Sequence, residues 1–261
     1  MMGEFLFLGT SGSMGVPVIA CSCPVCLSSN PLNKRKRCAA IIKIGDNSLL
    51  IDAGPEIRQQ LLSSNIHRLD GVILTHAHYD HIAGFDDLKA FCFAQKQKLP
   101  VLLSRNTFDE IRLTHYYLLE EPSGHPQGIF FDFNILDELF GSVEFTGIPL
   151  EFVSYYQTGM PVIGLKIGNL AYISDIKDFS EKVVQSLRGT EILILSALKH
   201  SLSPMHLCVD DAIALAKRIG ARQTYFTHMS HEVDYEKDSL KLPSGFAFAY
   251  DGLKVPFTLK Y

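Results

Sequence analysis

Apolar positions along the chain fall into short runs cut by turn residues. Phe5–Gly9 is one such run, and it breaks at Thr10-Ser11-Gly12-Ser13. Ala40–Ile44 and Ser48–Asp52 flank Gly45-Asp46-Asn47, which predicts a hairpin. Gly71–Thr75 is apolar almost throughout, as a strand covered on both faces would be. Val101–Ser104, Val143–Phe145, Leu150–Val153, Val162–Ile167, Ala171–Ser174, Ile192–Ser196, Gln223–Thr227 and Phe246–Ala249 are further predicted strands.

Helical patterns are interspersed with these runs. Glu56–Ser64 follows Gly54-Pro55, with proline near the first turn. In Leu88–Gln97, Leu88, Phe91 and Cys92 recur at i, i+3 and i+4 and share a face. Asp210–Ile219 opens with two acids, which suit the positive end of a helix dipole, and stops at Gly220. Strands mixed with helices in this way predict two sheets covered by helices in one α/β or α+β domain. From about Arg105 to Phe140 the pattern is polar, broken by Pro and Gly, and resists assignment. That stretch is a candidate lid.

Composition narrows the class. The 261 residues are 47% hydrophobic and 20% charged, which suits a packed globular chain and excludes disorder, collagen and coiled coil. A formal net charge of −4 provides no global basic field for nucleic acid. Lys34-Arg35-Lys36-Arg37 is a local cationic run, read as a solvated loop rather than a phosphate or RNA grip. No apolar run is long enough to span a membrane. The first eight residues read as a strand rather than a signal peptide, so the expected address is cytoplasmic.

The densest chemistry is Thr75-His76-Ala77-His78-Tyr79-Asp80-His81, directly after the apolar run Gly71–Thr75. In extended backbone His76 and His78 point the same way and can share one metal. Asp80 and His81 can turn into a helix and address a second. Imidazole with carboxylate suits zinc, manganese or iron.

Cys21, Cys23 and Cys26 form a second cluster. Short cysteine spacings in a reducing compartment favour zinc over disulfides. Three thiolates need a fourth ligand, for which Cys38 and His231 are candidates. In Thr227-His228-Met229-Ser230-His231 the two imidazoles diverge if the backbone is an extended turn, one toward each site. Cys38, Cys92 and Cys208 otherwise read as small buried hydrophobes.

The H-x-H-x-D-H pattern after an apolar strand resembles the signature of the metallo-β-lactamase fold superfamily. The similarity runs nearly end to end. It includes the glycine-rich run Gly9-Thr10-Ser11-Gly12-Ser13, Gly15-Val16-Pro17 and Leu50-Ile51-Asp52-Ala53-Gly54. The cysteine cluster, Thr227–His231, Leu242-Pro243-Ser244-Gly245-Phe246 and Tyr250-Asp251-Gly252 narrow it to the PhnP branch, whose type member is a cyclic-phosphate phosphodiesterase. The resemblance implies a four-layer αββα sandwich over residues 1–261, a single domain with a zinc knuckle inserted at about 20–38. It implies two active-site divalent ions, zinc or manganese, and one structural zinc. His76 and His78 would hold the first ion, and Asp80, His81 and His228 the second. Asp175, after Tyr172-Ile173-Ser174, would bridge them, and Asp52 would orient a ligand imidazole. His231 would complete the site of Cys21, Cys23 and Cys26. His206, in the run from Lys199 to His206 that also holds His200, would be the general acid, acting with Asp80 in catalysis.

One departure stands out. The family supplies a further histidine to the first ion several residues before a Pro-x-x-Gly; at that spacing this chain has Gln157. A neutral amide is a poorer ligand for a borderline metal, so the first site is expected to be the weaker. His67, His115, His125, Tyr116 and Tyr117 read as surface or packing residues. The implied substrate is a small cyclic phosphodiester resembling a phosphoribosyl cyclic phosphate. An RNA-processing nuclease, a thioester or lactone hydrolase, and a binding module without turnover are the rival readings. Nucleic acid is not the favoured partner, and a homodimer stays open.

Overall fold

A computed structural model describes residues 1–119 and 130–259. In chain order the elements are β1 (Met2–Gly9), α1 (Pro24–Leu27), β2 (Ala39–Ile44), β3 (Asn47–Ile51), α2 (Ile57–Ser63), β4 (Gly71–Leu74), α3 (Tyr79–Ile82), α4 (Lys89–Gln95), β5 (Leu99–Ser104) and α5 (Arg105–Thr114). There follow β6 (Phe131–Leu136), β7 (Phe140–Phe145), β8 (Ile148–Gln157), β9 (Met160–Ile167), β10 (Leu170–Ile173), α6 (Glu181–Ser186), β11 (Ile192–Ser196), α7 (Val209–Ile219), β12 (Gln223–Thr227), α8 (Tyr235–Ser239), β13 (Phe246–Phe248) and β14 (Lys254–Thr258).

The strands form two seven-stranded sheets, β14-β1-β2-β3-β4-β5-β6 and β13-β12-β11-β10-β9-β8-β7. Each is mixed. β3 to β6 run parallel in the first and β10 to β13 in the second. The parallel strands are covered on both faces, which is why Gly71–Leu74 and Ile192–Ser196 are buried throughout rather than alternating.

Three apolar layers hold the stack. Between the sheets, Phe5, Ile42, Ile73 and Leu102 meet Phe145, Ile163, Leu170 and Ile194. Outside the first sheet, Leu50, Val72 and Leu103 pack with Ile57 and Leu61 of α2, Phe91 of α4 and Ile111 of α5. Outside the second, Leu193, Leu195 and Phe226 pack with Val183 of α6 and Leu215 of α7. The architecture is therefore the four-layer αββα sandwich. The Gly45-Asp46 turn joins β2 to β3 in the expected hairpin, with Ile44 opposite Asn47. α7 is capped by the Cys208 thiol, carries Asp210 and Asp211 in its first turn, and ends at Gly220 in left-handed backbone.

The stretch expected as a lid is corrected at its two ends. Its first part is α5 on the first sheet, and its last part is β6, hydrogen-bonded along β5. α5 escaped the reading because only Thr107 and Ile111 of its ten residues are buried. β6 escaped because it is an edge strand with a mostly half-exposed face. Residues 120–129 of that stretch, His125 among them, lie outside the described residues. The edge strand β14 and the short α6 were also missed.

Candidate metal centre

Five parallel strands end along one edge of the sandwich, and their C-terminal ends carry the polar cluster. Asp52 follows β3, Thr75 to His81 follow β4, Asp175 follows β10, His206 lies beyond β11, and His228 follows β12. Ligand sites collect at such ends in open α/β sheets. A backbone hydrogen bond from Ile163 N–H to Thr75 O, 3.0 Å, ties the sheets together there.

The histidine run folds locally as its spacing required. Thr75 to His78 continue beyond β4 without helix, and His76 Nε2 and His78 Nδ1 stand 3.0 Å apart. The chain then turns into α3, which carries Asp80 and His81. This turn needs Gly54: a Cβ there would lie 2.1 Å from the carbonyl oxygen of Asp80. Asp52 anchors the group from below. It accepts from Thr75 N–H at 2.8 Å, and its Oδ2 is 2.7 Å from His81 Nδ1 and 2.9 Å from Thr75 Oγ1. Thr75 Oγ1 reaches on to His76 Nδ1 at 3.0 Å. Asp52 and Thr75 thus fix two ring orientations and leave both Nε2 atoms facing the centre. Thr75 had no signal beyond its place in the run.

His81 Nε2 is 3.5 Å from Asp80 Oδ2 and 3.4 Å from Asp175 Oδ2. His228 Nε2 is 3.6 Å from Asp80 Oδ2 and 3.0 Å from Asp175 Oδ1. Four donors bound at about 2.1 Å in a tetrahedron lie about 3.4 Å apart. His81 Nε2, His228 Nε2 and Asp175 Oδ2 are buried without a hydrogen-bond partner. Orphaned donors at ligand spacing fit a divalent cation: Asp80, His81 and His228 form one close set, and Asp175 lies against both imidazoles. His76, His81 and Asp175 form an adjoining set that shares His81 with the first.

Charge matches this arrangement. Burial opposes a proton on His81, but the carboxylates of Asp52, Asp80 and Asp175 outweigh it and hold its pKa well above the ordinary value. His228 is raised against burial by Asp175 and Asp80 in the same way. Asp175 is brought down to about 2, its burial overcome by His228 and His81. Burial, with the nearby charge of His81, keeps His76 well below the ordinary value.

His206 enters the same cavity. Its Nδ1 is 3.5 Å from Asp175 Oδ1, and its ring centroid is 4.8 Å from that of His228. Burial, then the charge of His228, pushes its pKa down to about 4. Gln157, at the end of β8, lines the same cavity as His78 and contacts His206. Its Nε2 is 2.9 Å from His206 Nε2, and its Oε1 is buried without a partner. Lys177 holds the loop that carries His206 by donating to Ser203 O at 2.8 Å. His200 lies outside the centre and pairs with Asp238 at 3.1 Å. His115 packs edge-on against Phe85, and His67 is exposed.

The cysteine cluster forms a separate group. His231 Nδ1 is 3.3, 3.4 and 3.6 Å from the Sγ atoms of Cys21, Cys23 and Cys26. The two histidines after β12 do diverge, His228 to the centre and His231 to the thiols. The Cys26 N–H accepted by Cys23 Sγ outweighs burial and, with His231, lowers the Cys23 thiol to about 6, which favours a thiolate ready for a cation. Cys38 takes no part; it is buried against Thr227 Oγ1. The basic run is corrected from a solvated loop. Arg35 is buried and donates from Nη2 to Val233 O at 2.6 Å and Ser230 O at 3.4 Å, on either side of His231. Lys34 donates to Cys26 O, and Arg37 pairs with Glu56. Sequence offers no sign that one cation of four goes inside.

A cavity of about 540 Å³ opens over the centre. Asp80, Asp175, His206 and His228 face it on one side, and Met14, Val18, Tyr79 and Met205 give it an apolar wall. The glycine-rich loop after β1 closes one flank: Gly12 packs against His228, where a Cβ would sit 3.0 Å from the ring.

The family described as Beta-lactamase superfamily domain matches residues 47–229. A solved structure described as a new diphosphatase from the PhnP family is 30% identical, with a TM-score of 0.92, over 99% of this chain and 98% of that one. The short form of human tRNase Z has a TM-score of 0.69 at 16% identity over 99% of this chain and all of that one, a likeness of fold alone. An octanoyltransferase of Porphyromonas gingivalis is 33% identical over 95% of this chain, which spans only half of that protein. By the family match and the close structural likeness, the chain belongs to the metallo-β-lactamase superfamily, in its PhnP-like branch.

Proposed function

We propose that the chain is a metal-dependent phosphodiesterase that opens a small cyclic phosphodiester. The observation that carries this reading is the buried four-donor cage facing an open cavity. Residues 1–261 are read as one domain with a knuckle at about 20–38. A hydrolase of this fold is the coarser statement, which the family and the PhnP-family diphosphatase support.

In this reading His76 and His78 would hold a first cation, Asp80, His81 and His228 a second, and Asp175 would serve both. Zinc or manganese, if held there, would supply neutralisation of phosphoryl oxygens and activation of water. Asp52 keeps His81 in the tautomer whose Nε2 is free to bind. Asp80 holds its carboxylate ionised, because His81 and His228 outweigh burial and depress its pKa strongly. His206 is neutral in the metal-free site at neutral pH. A phosphate anion beside it favours its charged form. It then gives that proton to the leaving oxygen. Cys21, Cys23, Cys26 and His231 would hold a structural zinc, which braces the turn from His228 to His231.

A second reading is hydrolysis of an acyl ester or thioester. Its support is the apolar wall, where Met14 is 64% and Tyr79 74% exposed, together with the acyl-transfer name of the Porphyromonas relative. Purified protein supplied with zinc or manganese is tested on bis(p-nitrophenyl) phosphate, a cyclic ribose phosphate and p-nitrophenyl octanoate. The expected result is turnover of the phosphodiesters that vanishes in Asp80→Ala/His81→Ala. Turnover of the octanoate ester alone would replace the first reading with the second.

A further inference from the structure

We propose that this chain holds one cation tightly at its centre, on Asp80, His81, His228 and Asp175, and a second only weakly, because Gln157, its amide nitrogen held on His206, leaves the His76/His78 pair without a third imidazole. The inference rests on the metal centre of the proposed function and concerns its stoichiometry.

The two halves of the centre differ in the structure. In the tight half, the His81 and His228 Nε2 atoms each lie 3.0–3.6 Å from carboxylate oxygens of Asp80 and Asp175, and both Nε2 atoms and Asp175 Oδ2 are buried with no other partner. Those orphaned atoms carry an unmet desolvation cost that a cation relieves. In the other half, His76 Nε2 and His78 Nδ1 contact each other at 3.0 Å, and neither is orphaned. His76 groups only with His81 and Asp175, both of which already serve the tight half. His78 joins none of the groups of three or more close ligand atoms found among the described residues. A third imidazole is what this half lacks. The side chain at that position, 3% exposed, is an amide bonded to the imidazole of His206 at 2.9 Å. With Nε2 on His206, the free atom of that side chain is its buried, unpartnered Oε1, a neutral oxygen. Amide oxygen suits hard cations better than the borderline ions that imidazole selects. Loss of an outer partner of a ligand costs about 10–100-fold in affinity, and loss of a direct ligand costs at least as much. The ion on the His76/His78 side should therefore be weaker by about 100-fold or more.

The test is metal content, measured by mass spectrometry after equilibrium dialysis of the full chain in zinc buffered by chelator. The wild type should retain two zinc ions, one at the knuckle and one at the centre, and take up a third only at free zinc about 100-fold higher. Gln157→His should retain three at the lower concentration. His78→Ala should still retain two, and Asp80→Ala/His81→Ala only the knuckle ion. In cobalt-loaded protein, Gln157→His should show magnetic coupling between neighbouring ions that the wild type lacks. Three tightly held ions in the wild type would overturn the proposal, as would a Gln157→His protein with a wild-type melting temperature and no added ion. A wild type that keeps only the knuckle ion would overturn both this proposal and the metal centre beneath it. Two retained ions without phosphodiester turnover would overturn only the proposed substrate class.

Discussion

Asp52, Asp175 and His228 all hold left-handed backbone, with φ of 60°, 52° and 59°. Such a conformation costs a non-glycine residue about 1–3 kcal/mol, and it persists only where surrounding contacts enforce it. Here it turns each side chain back across a strand end into the centre. Removing Asp52 should act through His81 rather than on substrate. Asp52→Ala should weaken the tightly held ion by about 10–100-fold, read by chelator competition, and Asp52→Asn should recover part of that loss. His81 and His228 carry raised pKa values, so both tend to be protonated when no cation is present. Ligation needs them neutral, so loading must expel protons. Affinity should rise with pH and fall as acid protonates the two rings. Calorimetry in buffers of different ionisation heat would measure the released protons. His206→Ala should slow alkyl phosphodiesters by about 10²–10⁴-fold and aryl diesters much less, because nitrophenolate leaves without a proton. Equal losses on both would remove His206 from the proton-donor role. Most of these residues were legible in the chain, because His76, His78, Asp80 and His81 lie within one turn-forming run. The pairing of Gln157 with His206 was not, since 49 residues separate them.

At the scale of elements, β4 with α3 and the loop after β3 form one unit. Ala53 N–H donates to His81 O at 2.7 Å, and Gly84 N–H to Ala53 O at 2.8 Å. Gly54 lies where these segments touch. Gly54→Ala forces a methyl against the Asp80 carbonyl, and backbone rather than a flexible side chain must yield. A loss of about 1–3 kcal/mol is expected, the ordinary cost of overpacking. Thermal melting would show it, with weaker zinc binding at the centre. The knuckle is braced by the basic run: Arg35 fastens the carbonyls of Ser230 and Val233 around His231. Arg35→Ala should therefore loosen His231 and lower zinc retention at the knuckle while the centre keeps its ion. The sequence reading placed most strands and α7 because their apolar patterns are strong. It missed α5 and β6 because elements at the margin of a sheet bury few residues.

Across the whole molecule, charge and shape argue for a small substrate. Among the described residues lining the cavity, Lys199 is the single lysine or arginine, and it pairs with Glu232 at 3.1 Å. A nuclease gripping 6–10 phosphates would lose about 10³–10⁵ in affinity between 50 and 200 mM salt. Here kcat/KM for a small phosphodiester should change by less than about threefold over that range. A steep loss would point back to RNA. No helix among the described residues is long and apolar enough to cross a membrane.

What the chain spells out locally, it spells out well. Apolar periodicity specified the strands, and a dense run of ligand types after one of them specified metal chemistry, since neighbours in sequence must also be neighbours in space. Decisions between distant segments belonged to the tertiary structure. Asp175 and His228 reach His81 only because β10 and β12 end at the same edge as β4. Arg35 is buried rather than solvated because the turn after β12 covers it with carbonyls. Gln157 meets the His206 imidazole because the loop beyond β11 reaches the end of β8. Each outcome depends on which surfaces the two sheets bring together, and that is fixed by burial of the shared core rather than by residue type at any one position.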